Sequence, residues 1–127
     1  MEIELAVNGT LMRGLELNKT LLAVGAVFVK EMTTAPTYRL WSIDDRYPAM
    51  MCASTGGEAI ALEVWRMPAE GLVTVLSEEP PGLCIGKVRL ANDDTILGVL
   101  GEPFLCEGKR EITGFGGWRR YRSSTRT

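Results

Sequence analysis

The side chains of this 127-residue chain that can transfer protons are mainly carboxylates, because the sequence contains no histidine. The absence of imidazole excludes a Ser-His-Asp triad, a Cys-His pair and a histidine-ligated zinc ion. Two adjacent acids, Glu78 and Glu79, stand at the predicted end of a helix that Pro80 terminates. A desolvated carboxyl at a helix C-terminus has a raised pKa, which suits a general base. Glu78 and Glu79 are therefore the catalytic candidates, and a solvated acidic helix end is the alternative interpretation.

The loop from Asn8 to Gly14 reads Asn-Gly-Thr-Leu-Met-Arg-Gly and lies between a predicted strand and a predicted helix. Its two glycines let the backbone turn sharply and present N–H groups to an anion. Arg13 adds a guanidinium that can pair with a carboxylate through two hydrogen bonds. The loop is thus a candidate carboxylate site, and a plain connection between strand and helix is the alternative.

Two further segments allow both a structural and a functional interpretation. Glu63 lies in an alternating apolar stretch on the predicted face of Trp65, and the alternation favours a solvent-side residue over an inward catalytic acid. The Gly-rich aromatic segment 114–121 is too irregular for a regular element. Its Phe115–Arg119 part is a candidate cap over a pocket mouth, or simply a packing segment.

The elements that must position these residues follow from hydrophobic periodicity and turn signals. The pattern predicts helices over Leu15–Val24 and from Pro68 through Leu76, with Pro68 at the first helical position. It predicts strands over Glu2–Val7, Ala26–Met32, Thr37–Ile43, Glu58–Arg66, Leu83–Leu90 and Thr95–Leu100. This order favours one mixed α+β domain over residues 1–121, built on a small barrel or curved sheet. Residues 122–127 are predicted to form a basic, flexible tail.

Composition and charge limit the kinds of partner that this chain is expected to bind. No stretch approaches the ~18 consecutive apolar residues of a membrane span, so we expect no membrane partner and a cytoplasmic location. Residues 119–127 carry four arginines and no acid, but the rest of the chain has no recognisable nucleic-acid module, and nucleic-acid binding is not expected. The three cysteines form no Cys-x-x-Cys pair, so neither a disulfide framework nor a zinc ribbon is indicated. We expect no metal and no cofactor.

Six stretches of the chain match one family pattern, ending in the distinctive Phe-Gly-Gly-Trp-Arg motif at residues 115–119. They are Leu5–Gly9, Gly14–Asn18, Thr33–Leu40, Ala59–Trp65, Ile85–Leu90 and Glu111–Arg119. Over residues 3–121 the sequence resembles the C-terminal domain of bacterial and fungal allophanate hydrolases, here as a stand-alone protein. More distantly, Asn8–Gly14 and Tyr47–Ala49 resemble the Tyr-Gly-Thr-Leu and Tyr-Pro-Ala signatures of the γ-glutamylcyclotransferase-like superfamily. Both resemblances imply a small mixed β-barrel with flanking short helices.

The resemblance implies three functions. The first is an enzyme or ligand-binding domain for a small carboxylate-containing urea or amide derivative. In it, loop N–H groups hold the substrate, Arg13 or Arg39 supplies the counter-charge, and Asn18 and Tyr38 orient it. The implied substrate-binding residues are Asn8, Gly9, Thr10, Leu11, Arg13, Asn18, Tyr38 and Arg39.

The second function is a γ-glutamylcyclotransferase in which Glu79 or Glu78 is the acid/base and the product is 5-oxoproline. The third is a non-catalytic module that associates with a separate amidase, and a homodimer is also open. In the allophanate hydrolase domain, a histidine of the first loop serves the decarboxylation of N-carboxycarbamate. Leu11 stands at that place here, so we expect this decarboxylation to be absent.

Overall fold

The computed structural model describes residues 1–125, which contain strands and short helices in mixed order. The strands are β1 (Glu2–Val7), β2 (Val27–Thr33), β3 (Tyr38–Ile43), β4 (Tyr47–Cys52), β5 (Ala61–Pro68), β6 (Leu83–Arg89), β7 (Thr95–Gly101) and β8 (Arg110–Glu111). The α-helices are α1 (Asn18–Ala23), α2 (Gly71–Glu78), α3 (Pro103–Cys106) and α4 (Trp118–Thr125), with a 3₁₀ helix over Thr113–Phe115. The α+β class predicted from the sequence is confirmed.

The strands form two sheets. A five-stranded sheet has the order β2-β5-β1-β7-β6, in which β1 and β7 run parallel and the other neighbours antiparallel. A three-stranded sheet has the order β4-β3-β8. The outer strands β2 and β6 meet only at their ends, at one bridge between Thr34 and Leu90 whose hydrogen bonds are accepted by the carbonyls of Thr33 and Arg89. A barrel closes only when its edge strands share a ladder, so among the described residues the predicted barrel is instead an open sheet.

The hydrophobic core lies on both faces of the five-stranded sheet, around the antiparallel neighbours β1 and β5. Leu5 and Val7 on β1 and Leu62 and Val64 on β5 are almost fully buried. Trp65, which the alternation assigns to the opposite face of β5, is buried as well. A strand that is covered on both faces has no solvent-facing side. The side chain of Glu63, which shares a face of β5 with Trp65, is therefore buried.

Helix boundaries differ from the sequence predictions in three places. Helix α1 covers only Asn18–Ala23 of the predicted Leu15–Val24. Pro68 ends β5, where it pairs with Glu2, and α2 begins at Gly71. Helix α4 continues through Thr125, so residues 122–125 are helical where a flexible tail is predicted. The buried rings of Trp118 and Tyr121 fix α4 to the domain, which explains the order of this segment. Arg126 and Thr127 lie outside the described residues.

Within residues 1–125, no helix is long and apolar enough to cross a membrane.

Candidate functional site

A small cavity lies where the loop after β1, the start of β4 and the end of α2 meet. It is lined by Val7, Asn8, Gly9, Thr10, Leu11, Tyr47, Pro48, Glu79, Leu83 and Val99. Its volume is about 10 Å³, room for about one water-sized group. The structure therefore brings the predicted carboxylate loop and the predicted acid Glu79 to one place.

The loop of the cavity is held by side-chain hydrogen bonds, one of them to the distant strand β7, and by one close contact. A Cβ added to Gly9 would lie 2.6 Å from Cδ of Pro48, so only glycine fits there without movement. The side-chain amide of Asn8 donates to the carbonyl of Val99 at 3.0 Å, and that of Asn18 donates to the carbonyl of Leu11 at 2.8 Å. The side chain of Asn18 thus stabilises the loop through the Leu11 carbonyl and does not line the cavity.

Three consecutive backbone N–H groups of the loop are free. Those of Gly9, Thr10 and Leu11 have no hydrogen-bond acceptor among the described residues, whereas that of Met12 donates to the carbonyl of Gly9 at 3.0 Å. Successive unpaired N–H groups beside a cavity can hold an anion or a developing oxyanion. The loop therefore supplies the donors that its sequence predicts.

Glu79 follows the last residue of α2 in an extended conformation and is partly buried against the loop. No ion pair or hydrogen bond to its carboxyl group is found among residues 1–125. Burial without a compensating partner raises the pKa of Glu79 to about 7. Glu78 is exposed and does not line the cavity. The structure thus separates the two catalytic candidates and leaves Glu79 as the one at the site.

Tyr47 is a cavity residue that the predicted site residues do not include, although its Tyr-Pro-Ala motif is visible in the sequence. Desolvation is the main cause that raises the pKa of its phenol. The hydroxyl therefore stays protonated at neutral pH and can donate a hydrogen bond to a ligand.

Arg13 turns away from the cavity to a buried carboxylate. Its backbone N–H donates to Oε1 of Glu63 at 2.9 Å and its Nε to Oε2 at 3.2 Å, while its Nη2 bonds the exposed Glu31. The indole of Trp65 and Nη2 of Arg119 also donate to Glu63. Arg13 thus stabilises the far end of the loop and does not line the cavity.

The burial of Glu63 contradicts the prediction of a solvent-side residue, since only 2% of its side chain is exposed. Burial alone raises the pKa of a carboxyl group. The hydrogen bonds from Arg13 and Trp65 outweigh that effect and hold the pKa of Glu63 below its usual value. The carboxyl group of Glu63 is therefore ionised at neutral pH, and its hydrogen bonds from Arg13 and Arg119 connect the loop to α4.

Tyr38 and Arg39 lie on β3, away from the cavity. The Tyr38 ring is in the core and its hydroxyl accepts a hydrogen bond from the backbone of Arg89 at 2.9 Å. Arg39 pairs with Glu111 through Nε at 2.8 Å and Nη2 at 2.5 Å. The structure therefore does not place Tyr38, Arg39 or Arg13 in the cavity.

In the described part of the chain, no three Cys, Asp or Glu side chains form a group able to hold a metal ion. The expected absence of a cofactor remains a prediction.

A family model for the allophanate hydrolase C-terminal domain matches residues 3–123. The chain belongs to this family. Urea amidolyase from Saccharomyces cerevisiae is 30% identical over 131 residues, which cover 94% of this chain and 7% of that protein. This member of the allophanate hydrolase C-terminal domain family therefore spans a small fraction of the curated relatives it matches.

Solved structures agree with the family assignment. A uropathogenic E. coli-specific protein is similar with a TM-score of 0.96 and 48% identity, covering 99% of both chains. Kluyveromyces lactis allophanate hydrolase is similar with a TM-score of 0.93 and 26% identity, covering 99% of this chain and 22% of that one. An AIG2-like protein from Mus musculus, at a TM-score of 0.60 and 19% identity over 80% of this chain and 76% of that one, shares the fold alone.

Proposed function

We propose that this protein acts on a small carboxylate-containing urea or amide derivative and that Glu79 transfers the proton. The observation that supports this most is the unpaired Glu79 carboxyl group in the cavity that the Asn8–Leu11 loop encloses. With a pKa of about 7, the group populates both protonation states at neutral pH. A group of this kind can accept a proton and return it within one reaction.

The chemistry needs one proton donor or acceptor and one oxyanion site, and the cavity offers both. The free N–H groups of Gly9, Thr10 and Leu11 hold a carboxylate or the oxygen of an attacked carbonyl group. The ionised form of Glu79 takes a proton from an attacking amine or water. The protonated form then gives that proton to the nitrogen that leaves as the C–N bond breaks. The Tyr47 hydroxyl provides an orienting hydrogen bond.

A direct test measures binding and turnover with N-carbamoyl amino acids, dicarboxylates and γ-glutamyl amides. We expect calorimetric binding of at least one of these classes, with turnover that Glu79→Gln removes and Glu78→Gln preserves. Glu78 is the matched control because it carries the same side chain one residue away, exposed to solvent. Uniform absence of binding, or equal turnover in both variants, would contradict the proposal.

A γ-glutamylcyclotransferase activity is the second candidate, favoured by the same pairing of a carboxyl group with a loop of free N–H groups. In that reaction Glu79 takes a proton from the substrate α-amine, which attacks the γ-carbonyl and closes 5-oxoproline. The cavity of about 10 Å³ does not contain a γ-glutamyl group, so the loop must move to admit it. Incubation with γ-glutamyl dipeptides and detection of 5-oxoproline decides between the two activities.

Association with a separate amidase is a third candidate. It is supported by the comparisons, in which this chain matches 22% of an allophanate hydrolase and 7% of a urea amidolyase. Co-purification with an amidase would favour it. A monomer that shows turnover without a partner would exclude a purely non-catalytic role, and sedimentation of the same sample tests for a homodimer.

A further inference from the structure

A groove of about 440 Å³ adjoins the cavity and is lined by three arginines, Arg46, Arg119 and Arg122. Thr10 lines both the groove and the cavity. In a second segment, Arg46 lines the groove and the next residue, Tyr47, lines the cavity. The two spaces therefore adjoin along two segments of the chain.

The groove has an excess of positive charge. Two acids also line it, Glu16 and Asp45, against the three arginines. The carboxylate of Asp45 already has partners within the protein, because it accepts a hydrogen bond from the Tyr121 hydroxyl at 2.6 Å and lies 3.6 Å from Nη1 of Arg122. Its pKa is lowered chiefly by the hydrogen bond from Tyr121, so it stays ionised at neutral pH.

The three arginines differ in how far their guanidinium groups are engaged. Arg119 donates to the backbone carbonyl of Arg13 at 2.5 Å and to Glu63 at 3.3 Å. Arg122 has a long contact of 3.6 Å with Asp45, and its guanidinium lies 5.7 Å from the centre of the Trp118 ring. Arg46 is exposed and forms no ion pair with any residue of the described chain. Arg46 is therefore the guanidinium most available to a ligand, with Arg122 second.

We propose that this groove binds the carboxylate of the substrate, with Arg46 as its main counter-charge and Arg122 as a second one. The proposal rests on the proposed function and extends it to the shape of the substrate. The cavity of about 10 Å³ holds only a water-sized group, so the loop must open for the reacting end of the substrate, whereas the volume of the groove already lies in the range of small-molecule sites. The substrate is then an elongated acid, with its ureido or amide group at Glu79 and its carboxylate among the arginines. Arg13 and Arg39, the counter-charges expected from the sequence, are bound to Glu63 and Glu111 instead.

A length series of N-carbamoyl ω-amino acids tests the proposal, because the distance between the ureido and carboxyl groups then varies by one methylene at a time. The series is N-carbamoylglycine, N-carbamoyl-β-alanine and N-carbamoyl-4-aminobutyrate, each beside its neutral primary amide, titrated by calorimetry at low salt. We expect one length to bind best, and its amide to bind at least about tenfold more weakly because it cannot form the charge-assisted pair.

Arg46→Gln should weaken binding of the best acid about tenfold and leave binding of its amide unchanged. Arg122→Gln should have a smaller effect of the same sign, and Arg46→Lys should restore part of the loss. Arg120→Gln is the matched control, since Arg120 is on the same helix as Arg122 but lines a different groove, beside Phe115 and Gly116. It should change binding by less than about twofold.

The outcomes separate the failure of the groove from the failure of the proposed function. If acids bind through Arg46 but none is turned over, the groove stands and the proposed reaction is wrong. If turnover depends on Glu79 while Arg46→Gln and Arg122→Gln leave KM unchanged, the groove proposal is wrong. Equal binding of acids and amides, or no binding of any acid in the series, also overturns it.

Discussion

The molecule contains two buried glutamates with opposite electrostatic behaviour. Glu63 is the more deeply buried, with 2% of its side chain exposed, yet its pKa lies below the usual value. Glu79 is only partly buried, yet its pKa is raised to about 7. The difference is in their partners, since Glu63 accepts hydrogen bonds from two arginines and an indole and Glu79 has none among the described residues.

This comparison shows that burial alone does not make a proton-transfer group. Desolvation raises the pKa of a carboxyl group, and ion pairs with hydrogen bonds lower it. The paired Glu63 therefore stays charged and joins the loop to α4. The unpaired Glu79 is poised between its two forms beside the free N–H groups.

The largest expected effect is on turnover. With the substrate found by the ligand screen, Glu79→Gln should lower kcat/KM by about 10²–10⁴-fold, the usual contribution of a general acid–base group. The wild-type pH–rate profile should show an inflection near the Glu79 pKa of about 7, and the variant should lose it. Glu78→Gln should retain both the rate and the inflection. A Glu79→Gln enzyme with a wild-type profile would assign the proton transfer to another group.

The second effect is on stability and concerns Glu63. Glu63→Gln removes the charge that the half-exposed guanidinium groups of Arg13 and Arg119 share, and it turns one buried acceptor oxygen into an amide donor. We expect a fall of about 1–3 kcal/mol in the free energy of unfolding, measured by urea denaturation at pH 7, as for the loss of hydrogen bonds to a charged group. Glu31→Gln is the control, because Glu31 is the exposed partner of Arg13 and should cost under about 0.5 kcal/mol.

The sign of the pH dependence sharpens this prediction. The folded-state pKa of Glu63 is below its ordinary value of 4.5. Its contribution is therefore present above that pH and is lost as the pH falls through the folded-state pKa. The gap between wild type and Glu63→Gln should narrow on acidification. A gap that is the same at pH 7 and pH 3 would show that packing, and not charge, is what the variant loses.

The third effect has the opposite pH dependence and comes from Glu79. The pKa of Glu79 rises from 4.5 to about 7 on folding, so the native state binds this proton more tightly than the unfolded chain does. The resulting stabilisation is fully present below pH 4.5 and is lost as the pH rises through about 7. Each pKa unit corresponds to about 1.4 kcal/mol, so the wild type should lose about 2–3 kcal/mol between pH 5 and pH 8. The absence of histidine leaves this window almost free of other titrations. Glu79→Gln should abolish most of the decrease, and Glu78→Gln should keep it; equal decreases in both would contradict the raised pKa.

Six of the eight strands in the described residues were predictable because their periodicities are local, whereas β4, β8 and helix α3 were not among the predicted elements. The strands Glu2–Val7 and Thr95–Gly101 match the predicted ranges almost to the residue. The open sheet was not predictable in this way, because closure depends on whether the distant edges β2 and β6 share a ladder. Helix α4 was missed for a similar reason, since its order comes from the packing of Trp118 and Tyr121 on the rest of the domain.

The candidate site was predictable in its loop and its acid but not in its charges. Gly9 and Glu79 follow from turn chemistry and from the end of a helix, which are local signals. Arg13 pairs with Glu63, fifty residues along the chain, and no local pattern announces that contact. Alternation assigned Glu63 to solvent because it assumes one exposed face, whereas β5 is central and covered on both.

The smallest expected effect is the absence of an activity, and it concerns the cavity wall beside Glu79. Leu11 is 4% exposed and lines the cavity where the family resemblance implies a histidine. An apolar side chain there cannot relay a proton, so the wild type should not accelerate decarboxylation of N-carboxycarbamate above the uncatalysed rate. An isolated amidase domain supplied with allophanate generates this substrate, and carbon dioxide and ammonia release measure its fate. Leu11→His, checked for folding, should raise the rate, and Leu11→Asn should not, because an amide does not titrate. Clear acceleration by the wild type would show that Leu11 is not the decisive departure and would assign the step to a carboxyl group such as Glu79. Glu79→Gln would then have to remove the acceleration, whereas variants of the paired Glu63 that still fold would keep it.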